Sequence, residues 1–171
     1  SHKGANLTAY GLAQYGTGAV ELTGTATVGN GTSSVNLTSG SFKADQLYIR
    51  NLAGVDAGAV TARTTTVNYG GQLTADSHAG TDLAVNGTAQ YINGVSLTGA
   101  ATVGDGFVPA SLTASTLRVN ELSIKDKGFV QTAINGTADE TSKITKLTFA
   151  GGEDNPLGQW DVRMGKFIIE Y

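Results

Sequence analysis

The sequence predicts an all-β protein: a β-solenoid (parallel β-helix) built from two repeats of roughly 75 residues, followed by a C-terminal pair of capping strands. Three observations predict this class. They are a composition rich in glycine, threonine and asparagine, an apolar/polar alternation of period two, and an internal duplication. A tandem of small β-sandwiches is the alternative architecture.

The composition favours strands and tight turns. The chain has 24 glycines, 2 prolines and 15% charged residues, against about 25% charged residues in a typical globular domain. β-Branched threonine and valine favour strands, whereas glycine and asparagine favour turns. No segment carries an apolar period of 3.6 residues, so helices are not expected.

The internal duplication sets the organisation of the chain. Residues 19–49 align without a gap with residues 94–124, and residues 1–15 align with residues 77–91 at an offset larger by one. The identical pairs of the longer block include Val20/Val95, Leu22/Leu97, Gly24/Gly99, Val28/Val103, Gly29/Gly104 and Ile49/Ile124. Two blocks in the same order at nearly the same offset indicate duplication of one structural unit.

The predicted division of the chain follows from this alignment. Repeat 1 covers residues 1–76, repeat 2 covers residues 77–150, and the match fades after about residue 125. Residues 151–171 contain apolar residues that alternate with charged ones, such as Trp160 and Val162. We expect a capping or junction strand pair here, because the open end of a solenoid is an unpaired sheet edge.

Within each repeat, alternate side chains are apolar. Val20 and Val28 share one face with Leu22 and Ala26, as expected for strands with one buried side. Gly-Asn-Gly at 29–31 and Gly-Asp-Gly at 104–106 are turn sequences. In a solenoid, each repeat amounts to three or four coils of roughly 18 to 25 residues. The small inward residues suit a thin solenoid core, whereas a sandwich usually buries a recurrent aromatic cluster.

Four aromatic residues are the weak ligand-binding candidates of the sequence. His2 and His78 occupy the same repeat position, and so do Tyr15 and Tyr91. The histidines could form a ligand or pH-sensing site, or be duplicated polar turn residues. The tyrosines could stack on sugar rings if they are exposed, or close the core at a corner.

Two further kinds of site are suggested by short motifs. Glu153-Asp154-Asn155 is a candidate calcium loop without EF-hand spacing, and a solvated turn is the alternative interpretation. Five Asn-x-Thr sequons are candidate glycosylation sites: Asn6, Asn30, Asn36, Asn86 and Asn135.

Several classes of function are disfavoured by the sequence. The net charge is −3 without a cluster of Lys and Arg, which argues against nucleic acid as a partner. No apolar run reaches the roughly 18 to 20 residues of a membrane helix, so membrane insertion is not expected. Cysteine is absent, which excludes a thiolate metal site, and no cofactor-binding or catalytic motif is present. We therefore predict a protein that is not an enzyme and has no cofactor.

Two segments carry a family resemblance. TTTVNYGGQLTADSHAGTDLAVNGTAQ and SLTGAATVGDGFVPASLTASTLRVN resemble the repetitive β-solenoid passengers of autotransporter and two-partner-secretion adhesins of Gram-negative bacteria. They are also similar to the stems of phage tail fibres and pilus-tip adhesins. The resemblance covers roughly residues 1–125 and implies a rod-like β-helix that mediates attachment or aggregation. No family site residue matches a position of this chain.

The resulting prediction is a secreted or cell-surface bacterial adhesin segment. Its partners would be cell-surface glycans or proteins, or further copies of itself, in attachment linked to virulence. Two alternatives stay open: a structural spacer or a pilus or fibre subunit, which has no ligand, and a polysaccharide-active β-helix such as a tail-spike depolymerase. The depolymerase predicts two carboxylates within about 10 Å on one face.

Overall fold

The computed structural model describes residues 1–132, 141–151, 157–163 and 166–169. In these residues the chain is all-β, with 72% of residues in strands and no helix, and its stacked coils form a β-solenoid of about 7 turns. The predicted fold class is confirmed, and the tandem-sandwich alternative is wrong. Within the same ranges, no helix has the length and apolar character needed to cross a membrane.

The strands are numbered in chain order. They are β1 (His2–Gly4), β2 (Leu7–Ala9), β3 (Ala13–Gln14), β4 (Ala19–Leu22), β5 (Thr25–Val28), β6 (Val35–Ile49), β7 (Ala53–Val67), β8 (Gln72–Val85), β9 (Thr88–Leu97), β10 (Ala100–Val103), β11 (Ala110–Ile124), β12 (Gly128–Thr132), β13 (Thr141–Phe149), β14 (Gln159–Val162) and β15 (Lys166–Ile169).

Each coil has three faces, because the long strands bend at their corners. In one coil, face one holds residues 59–62, face two holds residues 64–67 and face three holds residues 72–75. Corner one joins faces one and two, corner two joins faces two and three, and corner three joins face three to face one of the next coil. The pairings between neighbouring coils are parallel, so equivalent positions stack in columns about 4.8 Å apart.

The core is a set of such columns inside the solenoid. Face three contributes a column of small and branched side chains, each almost fully buried: Leu37, Val55, Leu73, Ala89, Leu112 and Val130. Face two contributes Ala26, Leu47, Thr65, Leu83, Ala101 and Leu122. Burial of a leucine or isoleucine stabilises the fold by about 1.5–3 kcal/mol, so these columns hold the coils in register.

One sequence repeat corresponds to four coils. The register runs from Val20 through Phe42, Val60 and His78 to Val95, which is the repeat partner of Val20. This agrees with the expected three or four coils per repeat. The two alignment offsets differ by one because repeat 2 has one residue fewer between Tyr91 and Val95 than repeat 1 has between Tyr15 and Val20. This difference falls at corner three, where a change in loop length leaves the stacked faces unaltered.

Corner one is closed by a side chain that recurs in both repeats. The Asn6 Oδ1 accepts the backbone N–H of Thr25 at 2.7 Å, and the Asp82 Oδ1 accepts that of Ala100 at 2.9 Å. A Cβ added at Gly24 or at its repeat partner Gly99 would overlap that oxygen. The glycine and the oxygen acceptor are therefore required together.

Replacing Asp82 by alanine should lower the free energy of unfolding by about 1 kcal/mol, since the Ala100 N–H loses its protein acceptor. Asp82→Asn is the matched control, because asparagine holds the equivalent position at Asn6 and keeps the acceptor oxygen. Thermal unfolding followed by circular dichroism distinguishes them. Equal melting temperatures for the two variants would contradict the assigned hydrogen bond.

The two C-terminal strands continue the stack. β14 pairs in parallel with β12, and β15 pairs in parallel with β13. The Trp160 Nε1 donates to the Thr132 Oγ1 at 3.1 Å, and the Trp160 ring meets Phe167 edge-on at 5.2 Å between centroids. β14 therefore extends face three and β15 extends face one, and the capping role of these strands stays a prediction. The domain boundaries at residues 76 and 150 stay predictions.

Candidate functional site

Two equivalent loops project at corner two. One follows β5 and holds Gly-Asn-Gly, and the other follows β10 and holds Gly-Asp-Gly. The Asn30 Oδ1 accepts the N–H groups of Thr32 and Ser33 at 2.9 and 3.0 Å. The Asp105 Oδ1 accepts those of Phe107 and Val108 at 2.8 and 3.2 Å. Both repeats thus keep the same side-chain-capped turn.

The glycines of these loops explain why the turn sequence recurs. Gly29 and Gly31 have φ of 92° and 84°, and Gly104 and Gly106 have φ of 88° and 90°. Residues with a Cβ rarely adopt this region, so glycine permits the turn at little cost. The predicted turns at 29–31 and 104–106 are confirmed.

A groove lies between the two loops. The connections of the three intervening coils are shorter, since β6, β7 and β8 each lead into the next strand segment over a few residues. The register from Val28 to Val103 spans four coil spacings, roughly 19 Å. The groove has a volume of about 670 Å³, which is within the range of small-molecule sites.

The groove is lined by aromatic, amide and cationic side chains. Tyr48 and Tyr69 are 37% and 56% exposed, so their ring faces are available to a ligand. Arg50 lies beside Asn68 in the register of corner two, and Asn86 continues that column one coil further. Sequence reasoning missed this set because its members come from separate coils. The spacing of the two duplicated loops was the available signal.

The charges of the groove are few. Arg50 and Asp105 are the ionisable side chains other than tyrosine among its lining residues. Hydrogen bonds from the N–H groups of Phe107 and Val108 lower the pKa of Asp105 below its usual value, so this carboxylate is held within its own loop. The Arg50 guanidinium has no hydrogen bond or ion pair with the described residues.

The four aromatic candidates form two pairs in the solenoid interior. The His78 Nδ1 lies 3.1 Å from the Tyr91 hydroxyl, and the two rings meet edge-on at 5.5 Å. His78 and Tyr91 are 2% and 1% exposed, so a ligand at the surface does not contact them. The equivalent pair, His2 and Tyr15, has ring centroids 5.9 Å apart and is half-buried. The structure corrects the sugar-stacking hypothesis at Tyr91, because its ring fills the core.

The buried His78 is adapted to a neutral state. Burial lowers its pKa from 6.5 to about 4 and raises the pKa of Tyr91 well above its usual value. The second ring nitrogen, Nε2, lies 3.5 Å from the Thr65 Oγ1. The two histidines are four coils apart in one column, so a single ion does not bridge them.

The sequons differ in how accessible their amides are. The Asn6 and Asn30 side chains are engaged in the backbone hydrogen bonds described above, and Asn36 is exposed on face three. Asn86 lies in the groove, where a glycan would block it. Asn135 and the Glu153-Asp154-Asn155 candidate calcium loop lie outside the described residues.

Several acidic side chains serve structural contacts. Glu21 pairs with Lys3 at 2.9 Å, Asp45 with Arg63 at 2.7 Å, and Glu121 with Lys146 at 3.0 Å. These exposed pairs join neighbouring coils, and each contributes little to stability. In the part of the chain that the structure describes, no group of three or more His, Asp or Glu side chains is placed to hold a metal ion.

The fold and the groove together define a class: a β-solenoid with a groove at corner two that is flanked by duplicated loops. A scan against protein-family models, a search of curated proteins and a search of solved structures gave no match for this chain.

Proposed function

We propose that this chain is a non-enzymatic segment of an adhesin displayed outside a bacterial cell, where it attaches the cell to glycans or proteins of another surface. The observation that supports this proposal is the groove at corner two, which is open to solvent along the side of the rod. Its exposed tyrosines and amides suit recognition of a polar surface ligand.

The solenoid suits this role for a mechanical reason. Each coil adds about 4.8 Å of length and pairs over all three faces with its neighbours, so the rod lengthens without losing stiffness. The lateral faces carry fully paired strands, and unpaired edges occur only at the ends of a stack. A groove in the side of such a rod is accessible to a second surface.

Adherence of coated beads tests the proposal. Fluorescent beads that carry the purified chain should bind host or bacterial cells in a saturable manner, and the free chain should compete with them. Beads coated with an unrelated globular protein are the control. Binding no stronger than that of the control beads to every cell type would reject the adhesin function.

A further inference from the structure

We propose that the groove at corner two binds an oligosaccharide that carries a carboxylate, with Arg50 as the contact for the anion and Tyr48 and Tyr69 as stacking surfaces. This inference rests on the proposed adhesin function and names the class of ligand. Four properties of the groove support it: its unpaired cation, its exposed rings, its column of amides and its length.

The unpaired cation selects for an acidic ligand. Two other arginines of the described chain, Arg63 and Arg163, form ion pairs with Asp45 and Asp161. Arg50 and Arg118 form no ion pair with the described residues, and of these two Arg50 is the one that lines the groove, beside Tyr69. The Asp105 carboxylate accepts hydrogen bonds from its own loop and forms no ion pair with Arg50. The planar guanidinium can donate two parallel N–H hydrogen bonds to one carboxylate. This charged, bidentate pairing is stronger than a neutral hydrogen bond.

The aromatic rings favour a sugar over a simple anion. Tyr48 is at the end of face two, and Tyr69 is in the connection of the next coil, so the rings project from adjacent coils into one recess. The Tyr48 hydroxyl donates to the Gln46 Oε1 at 3.4 Å, which restrains the ring. Exposed aromatic side chains with a restrained orientation give large contact area at low entropic cost.

The asparagine side chains of the groove supply hydrogen-bond partners for the hydroxyl groups of a bound sugar. Asn68 and Asn86 are in register at corner two, about 4.8 Å apart. Each carboxamide offers two N–H donors and an acceptor oxygen. The loops after β5 and β10 flank a recess of three coils, so a bound chain of a few sugar units fits between them.

An array of matched oligosaccharides tests this assignment. The array carries uronate-containing and sialylated oligosaccharides, each beside the same compound with its carboxylate reduced to an alcohol. The wild-type chain should prefer the acidic member of a pair by about tenfold, and added sodium chloride should weaken this preference. Arg50→Gln should remove the preference, and Tyr69→Ala should weaken binding to both members of the pair.

Two variants outside the groove are the matched controls. Arg118→Gln removes an exposed arginine of face one, and Tyr10→Ala removes a tyrosine that is 62% exposed. Both should bind like the wild-type chain. The assignment is overturned if no acidic oligosaccharide binds, if the reduced compounds bind equally well, or if Arg50→Gln keeps the preference. If beads still adhere to cells in any of these cases, the adhesin proposal stands and only the ligand assignment fails.

Discussion

Replacing Gly80 by valine should destabilise the solenoid by about 3 kcal/mol or more, one of the largest effects of any single substitution in this chain. Gly80 ends face one, where the chain turns into corner one. A Cβ added there would overlap the backbone carbonyl oxygen of Ala62 in the preceding coil. A carbonyl in a parallel ladder does not move aside as a flexible side chain does, so two coils have to separate locally.

The matched control for this substitution is Gly11→Val. A Cβ added at Gly11 has no neighbour within 4 Å, and its φ is not positive. Urea unfolding followed by circular dichroism gives the free energy of unfolding of both variants. We expect Gly80→Val to unfold at much lower urea or to fail to fold, and Gly11→Val to resemble the wild-type chain. Similar stability of the two variants would contradict the close stacking at corner one.

Lowering the pH from 6.5 to about 4 should destabilise the chain by up to about 3 kcal/mol through His78 alone. In the unfolded chain this histidine is protonated as the pH falls through 6.5, whereas burial holds its pKa near 4 in the fold. The unfolded state therefore binds the proton first. By about one pH unit above 6.5 this residue is neutral in both states, so its contribution to the pH dependence ends there.

The double variant His78→Val/Tyr91→Phe isolates this contribution. Valine matches the neighbours of His78 in its column, Val60 and Val95, and phenylalanine avoids leaving a tyrosine hydroxyl without its partner. The slope of unfolding free energy against pH between 4 and 6.5 should be smaller in the double variant. The variant His2→Val is the control at the equivalent repeat position. An unchanged slope in the double variant would contradict the buried, neutral state of His78.

The sequence predicts the fold because its signals are local. The alternation around Val20 and the turns at Gly29 and Gly104 depend on backbone preferences that each segment has by itself. The duplication then supplies the number of coils, since a repeat of known length divides into three or four turns. Small inward residues identify the thin core.

The sequence does not predict which residues meet across coils. The separation between stacked residues varies, from Gln72 and Thr88, which are 16 apart, to Phe129 and Gln159, which are 30 apart. Without that register, Tyr48 and Tyr69 are two unrelated residues. The same lack of register hides the role that Asn6 and Asp82 share, which is to accept a backbone N–H at corner one. Both side chains can do this because an amide and a carboxylate each carry an acceptor oxygen.

The duplicated histidine and tyrosine show how a repeated residue can mislead. Recurrence of His78 and Tyr91 at the positions of His2 and Tyr15 suggested a recurrent site. In the structure each pair is one contact across the interior, between face one and face three. Duplication thus preserved a contact within the core. The groove residues Arg50 and Tyr69 lie elsewhere, in the coils between the two repeated loops.

Adherence of beads coated with the double variant Arg50→Gln/Tyr69→Ala shows in one measurement whether the groove is the part of the chain that attaches to cells. The comparison is with beads that carry the wild-type chain and with beads that carry Arg118→Gln/Tyr10→Ala, all three proteins having the same circular dichroism spectrum. We expect saturable adherence for the wild-type chain and the control double variant, and loss of adherence for the groove variant. Equal adherence of all three would contradict the groove as the binding site, and no adherence of the wild-type chain to any cell would contradict attachment itself.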